Sequence, residues 1–321
     1  MMRKIALVSC LLAPAAFLSG VAGATPVNLD SDNKSDILWF EESTGKVVYW
    51  GMDGATRITN AGIATVSDPD WSIAATADLN GDDKTDIVWF NRTSRKLSYW
   101  QMDGNTIVAN QNIATIGDPA WQLAAAADLN GDGRSDLVWR NGLTGQVVRW
   151  QMNGATIDAN SKIATVSDLS WQIVSTGKFN EDGNDDILWR NRLSGQLALW
   201  TMDGPTRTGN FNVATVADPN WTIKSTSDYS GDGQADILWR NYSTGQNALW
   251  TMNGPAIAAN QAVPSVANFD WDVAGDGDYD GDLDADILWR NSATGQIALW
   301  TMDGATRTNT AGHRRRYAPR R

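Results

Sequence analysis

The chain has 321 residues, 42% hydrophobic and 20% charged, with a formal net charge of −11. That composition fills a large core and excludes a disordered chain, and the acidity excludes a nucleic-acid partner, whose phosphates need a basic surface. One cysteine, Cys10, and one histidine, His313, exclude a disulfide scaffold, a thiolate zinc site and histidine-based catalysis.

Met1-Met2-Arg3-Lys4 is a short basic start, Ile5 to Gly23 is apolar and small, and Ala22-Gly23-Ala24 fits a cleavage signal. Residues 1–24 are therefore expected to be a signal peptide, which makes the protein secreted or cell-surface, with the periplasm as the alternative. Pro14 and the small residues make a poor membrane span. Leu7-Val8-Ser9-Cys10 has lipoprotein-like residue types, but only four apolar residues, Ile5 to Val8, lie between the basic start and that motif's Ser9-Cys10, too few for that signal. The mature chain would hold no cysteine and would meet an oxidising, calcium-containing exterior without disulfides.

Residues 25–310 read as one unit repeated every 50 residues. Trp39, Trp89, Trp139, Trp189, Trp239 and Trp289 form one series, and Trp50, Trp100, Trp150, Trp200, Trp250 and Trp300 a second. Trp71, Trp121, Trp171, Trp221 and Trp271 form a third, and together they account for all 17 Trp. Each unit predicts four short strands. Ile87–Phe90 and Leu97–Trp100 are apolar, Thr106–Ile116 is more polar, and Trp121–Ala125 runs into the next unit. Thr144-Gly145 joins the first two strands. Asp-Gly or Asn-Gly, as in Asp103-Gly104, joins the second and third, read as a turn whose two central residues both take positive φ. Helical periodicity is absent from the mature chain. A lone four-stranded sheet cannot bury a Trp on each face, whereas copies stacked radially can. The expected fold is all-β, a β-propeller of six visible four-stranded blades, with a truncated seven-bladed ring as the alternative.

An acidic loop precedes the first strand of every unit. The clearest copy runs Asp128-Leu129-Asn130-Gly131-Asp132-Gly133-Arg134-Ser135-Asp136. Oxygen side chains fall at positions 1, 3, 5 and 9 (Asp128, Asn130, Asp132, Asp136), short and hard donors of the kind calcium takes. Position 7, here Arg134, would offer its carbonyl. An EF-hand needs a Glu at position 12, where Trp139 stands, so Asp136 closes this loop instead. The copies Asp78, Asn80, Asp82, Asp86 and Asp278, Asp280, Asp282, Asp286 carry full sets, and the latter is the most acidic. Asp228, Ser230, Asp232, Asp236 replace one ligand by a hydroxyl, and Asn28, Asp30, Asp32, Asp36 begin with a neutral amide. In the fourth copy Lys178 stands at position 1 beside Asn180, Asp182 and Asp186, and its ammonium predicts an empty or weak site. Without Arg3, Lys4 and the five tail arginines, the formal charge falls from −11 to −18, the number of Asp at these loop positions. The domain's whole excess charge thus sits in the loops, and the expected cofactor is calcium.

The loop D-x-N-G-D-G-x-x-D followed by Leu-Val-Trp resembles the FG-GAP/VCBS repeat family over roughly residues 28–310. That family is similar to the β-propeller of integrin α-chains and to some fungal and bacterial lectins. The resemblance implies calcium between the inner strand and the next, and a role in adhesion, glycan binding or attachment to extracellular enzymes. Phe-Gly and Gly-Ala-Pro signatures are not evident, so integrin-like ligand binding does not carry over.

Six loops face only five strands of the Trp71 type, so the first unit's inner strand is expected from the C-terminus. Yet residues 311–321 form a basic tail. It reads as a solvated arm, or as the product of a frameshift or truncation. Codons for Gly312 to Ala318, read from their second base, can encode residues in register with Gly62-Ile63-Ala64-Thr65-Val66-Ser67. The natural chain would then continue and supply the missing strand, after a seventh blade in the alternative ring.

Tryptophan with Asp or Asn is suited to holding sugar rings by stacking and hydrogen bonds. The expected function is a non-catalytic binding module for glycans or extracellular proteins, the six units giving avidity. A polysaccharide-degrading enzyme is the second reading. It lacks material, since Glu41, Glu42 and Glu181 are the only Glu residues and no unit holds an unusual cluster. A passive scaffold is the third. Arg140, Arg190, Arg240 and Arg290, each followed by Asn, are read as blade-bridging cations first and ligand contacts second. The oligomeric state is not legible in the sequence.

Overall fold

The computed structural model describes residues 6–7 and 27–313. It is all-β, six four-stranded antiparallel sheets arranged as the blades of a propeller. Blade 2 shows the pattern. Its strands run from the innermost outward as Trp71–Ala77, Asp86–Asn91, Lys96–Asp103 and Thr106–Thr115. The second strand, Asp-Ile-Val-Trp-Phe-Asn, is buried at every position because neighbouring blades cover both its faces. The outermost strand alternates between exposed and half-buried, which explains its polar sequence. A bulge in the inner strand sets Ile73 opposite Trp89 and Ala75 opposite Val88, leaving residue 74 unpaired.

The hairpin between third and outer strands departs from the expected turn. Thr106 pairs with Asp103, so the two central residues are Gly104 and Asn105, and of these only Gly104, at φ 55°, is left-handed. Pro205 and Pro255 occupy the second place in blades 4 and 5, where their rings forbid positive φ. The Asp belongs to the strand, and glycine leads the turn.

Blades pack through their tryptophans. Trp89 is buried and its ring centroid lies 4.8 Å from that of Trp100 in the same blade, tilted by 54°. The other five blades repeat this pair at 4.7–4.9 Å. The repeated arginines bridge blades, as the first of their two readings held. The guanidiniums of Arg140, Arg190 and Arg240 lie 5.3, 5.2 and 5.1 Å over Trp189, Trp239 and Trp289 of the next blade. Arg190 also donates to the carbonyls of Trp221 (2.6 Å) and Val216 (3.3 Å), tying the next inner strand to the preceding outer one.

The ring closes with six blades, which corrects the seven-bladed alternative. Ile37, Trp39, Trp50 and Met52 of blade 1 share one buried cluster with Ala274, Tyr279, Leu288 and Leu299 of blade 6. The C-terminal strand Thr306–His313 is outermost in blade 6, so it does not supply the inner strand of blade 1. In that sheet the inner place is held by Ala6–Leu7, antiparallel to Trp39 and Phe40. Otherwise the leader assignment and the rest of the basic tail lie outside the described residues. Among the described residues no helix is long and apolar enough to cross a membrane.

Candidate functional site

Five of the acidic loops join an inner strand to the second strand of its own blade, and the first leads into the second strand of blade 1, so they gather on one face. There they form a closed ring. The position-8 N–H of each loop donates to the position-1 carbonyl of the loop before it. The series runs Thr85 to Asn28 (2.8 Å), Ser135 to Asp78 (2.6 Å), Asp185 to Asp128 (2.7 Å), Ala235 to Lys178 (2.7 Å), Ala285 to Asp228 (2.7 Å) and, closing the circle, Ser35 to Asp278 (2.6 Å). A ligand that fixes one loop therefore acts on two blades.

Inside a loop the carboxylates organise the backbone. Asp78 Oδ1 accepts from Gly81 N (2.7 Å) and Oδ2 from Asp83 N (2.8 Å), while Asp82 Oδ1 accepts from Lys84 N (3.1 Å) and Asn80 Nδ2 donates to Asp82 Oδ2 (3.0 Å). Asp128 and Asp132 repeat this with Gly133 N and Arg134 N, Asp228 and Asp232 with Gly233 N and Gln234 N, and Asp278 and Asp282 with Leu283 N and Asp284 N. In the first loop Asn28 holds Ser31 N, and Asp30 accepts from Tyr49 OH (2.6 Å).

Position 9 is different. Asp36, Asp86, Asp136, Asp186, Asp236 and Asp286 are fully buried or nearly so. Each gives one oxygen to the N–H of the Met 16 residues on, such as Asp86 Oδ1 to Met102 N (2.9 Å). In five of them the other oxygen accepts from the position-2 N–H, as Asp286 Oδ2 does from Tyr279 N (3.0 Å). In the fourth loop Asp186 Oδ2 has no hydrogen-bond partner. Burial pushes these carboxyls up to about 7 for Asp36, Asp86 and Asp186, about 6 for Asp136 and Asp236, and about 8 for Asp286, against the backbone donors and with neighbouring Asp charges adding to the rise in most loops. Asp136 is low because Arg149, itself 4% exposed, pairs with it. Thus the sequence's clearest loop already holds a cation of its own.

The residues fit calcium best in the sixth loop. Carboxylate oxygens of Asp278, Asp280 and Asp286 lie within 4.8 Å of one another. Calcium–oxygen distances of about 2.3–2.6 Å require ligand pairs no farther apart than roughly 5 Å. Among the described residues this is the one such carboxylate group of three. In the fourth loop Lys178 lies close enough to Asp185 to oppose the rise of that carboxyl, which burial pushes up to about 6. The lysine thus supplies positive charge where the other loops have an acid or amide.

On the blade flanks the third Trp series lines pockets. At the junction of blades 1 and 2 a cavity of about 310 Å³ is bordered by Trp71, Trp89, Trp100, Asn110 and Asp68. At the junction of blades 4 and 5 the same positions, Trp221, Trp239, Trp250 and Asn260, border one of about 210 Å³. Trp71 and Trp221 are half-buried, whereas Trp89 and Trp239 are buried with indole N–H groups that have no partner. The third series thus combines blade packing with a surface a ligand can reach.

Three overlapping segments, residues 28–89, 78–139 and 128–189, match the FG-GAP-like repeat. They cover half of the chain. The chain belongs to the FG-GAP-like repeat family. No curated protein matches it in sequence. Its fold is similar to nidogen in a nidogen/laminin complex (TM-score 0.52, 12% identity, 83% of this chain and 90% of that one). It is also similar to the Agrobacterium tumefaciens calcium-binding protein regucalcin (TM-score 0.51, 12% identity, 88% and 82%). A third is the Photorhabdus luminescens Tc holotoxin pore, with a TM-score of 0.54 and 15% identity over 94% of this chain but 16% of that one. At these identities the likeness is of fold.

One junction of this FG-GAP-like ring breaks the repeat, contrary to the expectation that no unit holds an unusual cluster. Between blades 5 and 6, Lys224 Nζ lies 3.1 Å from Asp272 and 3.0 Å from Tyr242 OH. Tyr242 OH donates to Asp272 (2.7 Å), and Arg240 Nε is 3.8 Å away from that carboxylate. Burial, then the Asp272 charge, holds the Tyr242 hydroxyl above its ordinary range. The group is a closed ion-pair network. Comparing columns would have found it, since Lys224 stands where other inner strands have Ala74, Ala124, Val174 and Ala274.

Proposed function

We propose that this chain is a secreted, calcium-loaded, non-catalytic binding module that holds sugar rings in its inter-blade pockets. The observation that carries the reading is the recurrence of one pocket, three tryptophans with an asparagine, at two junctions of the ring. Aromatic faces stack on the apolar face of a pyranose, and the amide of Asn110 or Asn260 supplies both a donor and an acceptor for hydroxyls. Volumes of about 310 and 210 Å³ lie at or below the ~300–1,000 Å³ of pockets for drug-sized ligands, a scale for single rings. Weak equivalent sites on a rigid ring gain strength on a polymer through multivalency.

Calcium serves the frame. The loops supply all-oxygen donors, and an ion there would neutralise buried carboxylates and hold adjacent blades together. A protein partner is the second reading, favoured by Leu143, Leu169 and Leu193, which are exposed on the face opposite the acidic loops. A glycan array with and without chelator separates the two. Retention of polysaccharides that is lost in Trp71→Ala/Trp221→Ala supports the sugar reading. An array without hits overturns it.

A further inference from the structure

The junction of blades 2 and 3 differs from those that follow it. Position 40 of the repeat is Arg in blades 3 to 6 but Phe90 in blade 2, and position 45 is Gly in the other five blades but Arg95 here. The two changes are linked in space. Arg95 Nε donates to Ile116 O (2.8 Å), and Nη2 to Trp121 O (3.4 Å) and Asp118 O (3.3 Å). Ile116 and Trp121 are the counterparts of Val216 and Trp221, the carbonyls that Arg190 binds from the other position. Arg95 therefore supplies the lost guanidinium from the hairpin, at the cost of a left-handed φ of 57° that the other blades give to glycine.

The exchange opens space. In the three following junctions a guanidinium lies 5.1–5.3 Å over the core Trp. Here the guanidinium is 5.6 Å over Phe90, and a cavity of about 280 Å³ is bordered by Phe90, Trp121, Trp139, Pro119, Gln122 and Arg95. Its polar atoms favour an acceptor. The indole N–H of Trp139 is buried without a partner. Arg95 has committed Nε and Nη2, which leaves Nη1 to donate. The carboxylate of nearby Asp118 is spent on Ala120 N and Asn141 Nδ2, and no acidic side chain borders the cavity. The pocket between blades 1 and 2 differs on this point, since Asp68 borders it.

We infer that the blade 2–3 cavity is a second class of sugar site, selective for a pyranose that carries a carboxylate. The ring would lie against Trp121, and the carboxylate would take a charge-assisted hydrogen bond from Arg95. This rests on the glycan reading and narrows it to one junction and one ligand charge.

The test is calorimetric titration with methyl glucuronide and methyl glucoside of the wild type and of Phe90→Arg/Arg95→Gly. That double variant rebuilds the junction as blades 3 to 6 have it. It returns glycine to the left-handed position, so unchanged melting is expected. Binding of the glucuronide should fall by about tenfold or more while the glucoside is unaffected. Gln122→Ala, which leaves the arginines alone, should weaken the glucuronide by a smaller factor. Equal glucuronide affinity in wild type and double variant, or a wild type that does not prefer the glucuronide to the glucoside, overturns the inference. If the glucoside still binds and Trp71→Ala/Trp221→Ala abolishes it, the broader sugar reading stands.

Discussion

Arg240 shows how much one side chain can carry in this ring. It is 0% exposed and donates to Val266 O and Trp271 O (both 3.1 Å) and to Asn247 Oδ1 (3.1 Å) while lying 5.1 Å over Trp289. Arg140 occupies the same column over Trp189, yet its Nε and Nη2 are buried without hydrogen-bond partners. A lysine keeps the charge but loses the planar fork. Arg240→Lys should therefore cost about 2–3 kcal/mol and Arg140→Lys about 1 kcal/mol or less, read by denaturant unfolding. Equal losses would show that the cation–π contact alone matters. The arginine column was legible in the sequence because it repeats. The Phe90/Arg95 exchange stands in the same columns, but its consequence was not legible, because a strand's period tells which face a residue takes and says nothing about which distant carbonyl it meets.

At the scale of an element, the place of the acidic loop between two strands was legible, while among the described residues only Asp278, Asp280 and Asp286 come together as a carboxylate group of three. The loop's inner economy was not legible. Position 9 reads in the sequence as one more ligand, whereas in the structure its carboxylate anchors the backbone 16 residues on, a pairing that only the hairpin geometry brings about. Two predictions belong here. Lys178→Asp removes the fourth loop's own cation and should add one calcium to the binding stoichiometry measured by calorimetry. An unchanged stoichiometry would mean that Lys178 does not decide occupancy. The second concerns pH. The position-9 carboxyls lie above their ordinary 3.8 because of burial, at about 6 to 8. Between those limits the chelated fold binds more protons than the unfolded chain, so its stability falls as pH rises. Melting of chelated protein should drop from pH 5 to pH 8, while calcium should flatten the curve by replacing the proton. A chelated protein that gains stability over that range contradicts the loop account.

For the whole molecule, the 50-residue beat gave away the blades, but the number that closes the ring was a matter of angles between them. Five tryptophan-led inner strands against six loops suggested an open or longer ring. In the structure the loops themselves complete it, through Ser35 N to Asp278 O and through Gly54 N to Tyr279 O. The same face that closes the ring thus carries the clustered carboxylates, and any divalent ion bound there acts on closure. An ion at about 100 times its dissociation constant adds roughly 2.7 kcal/mol per site. The most direct test is calorimetry of the full chain, titrated with calcium and then melted with and without chelator. The account predicts measurable heat of uptake at more than one site and a melting temperature lowered by several degrees in chelator. No heat, with identical melting in both, would contradict it.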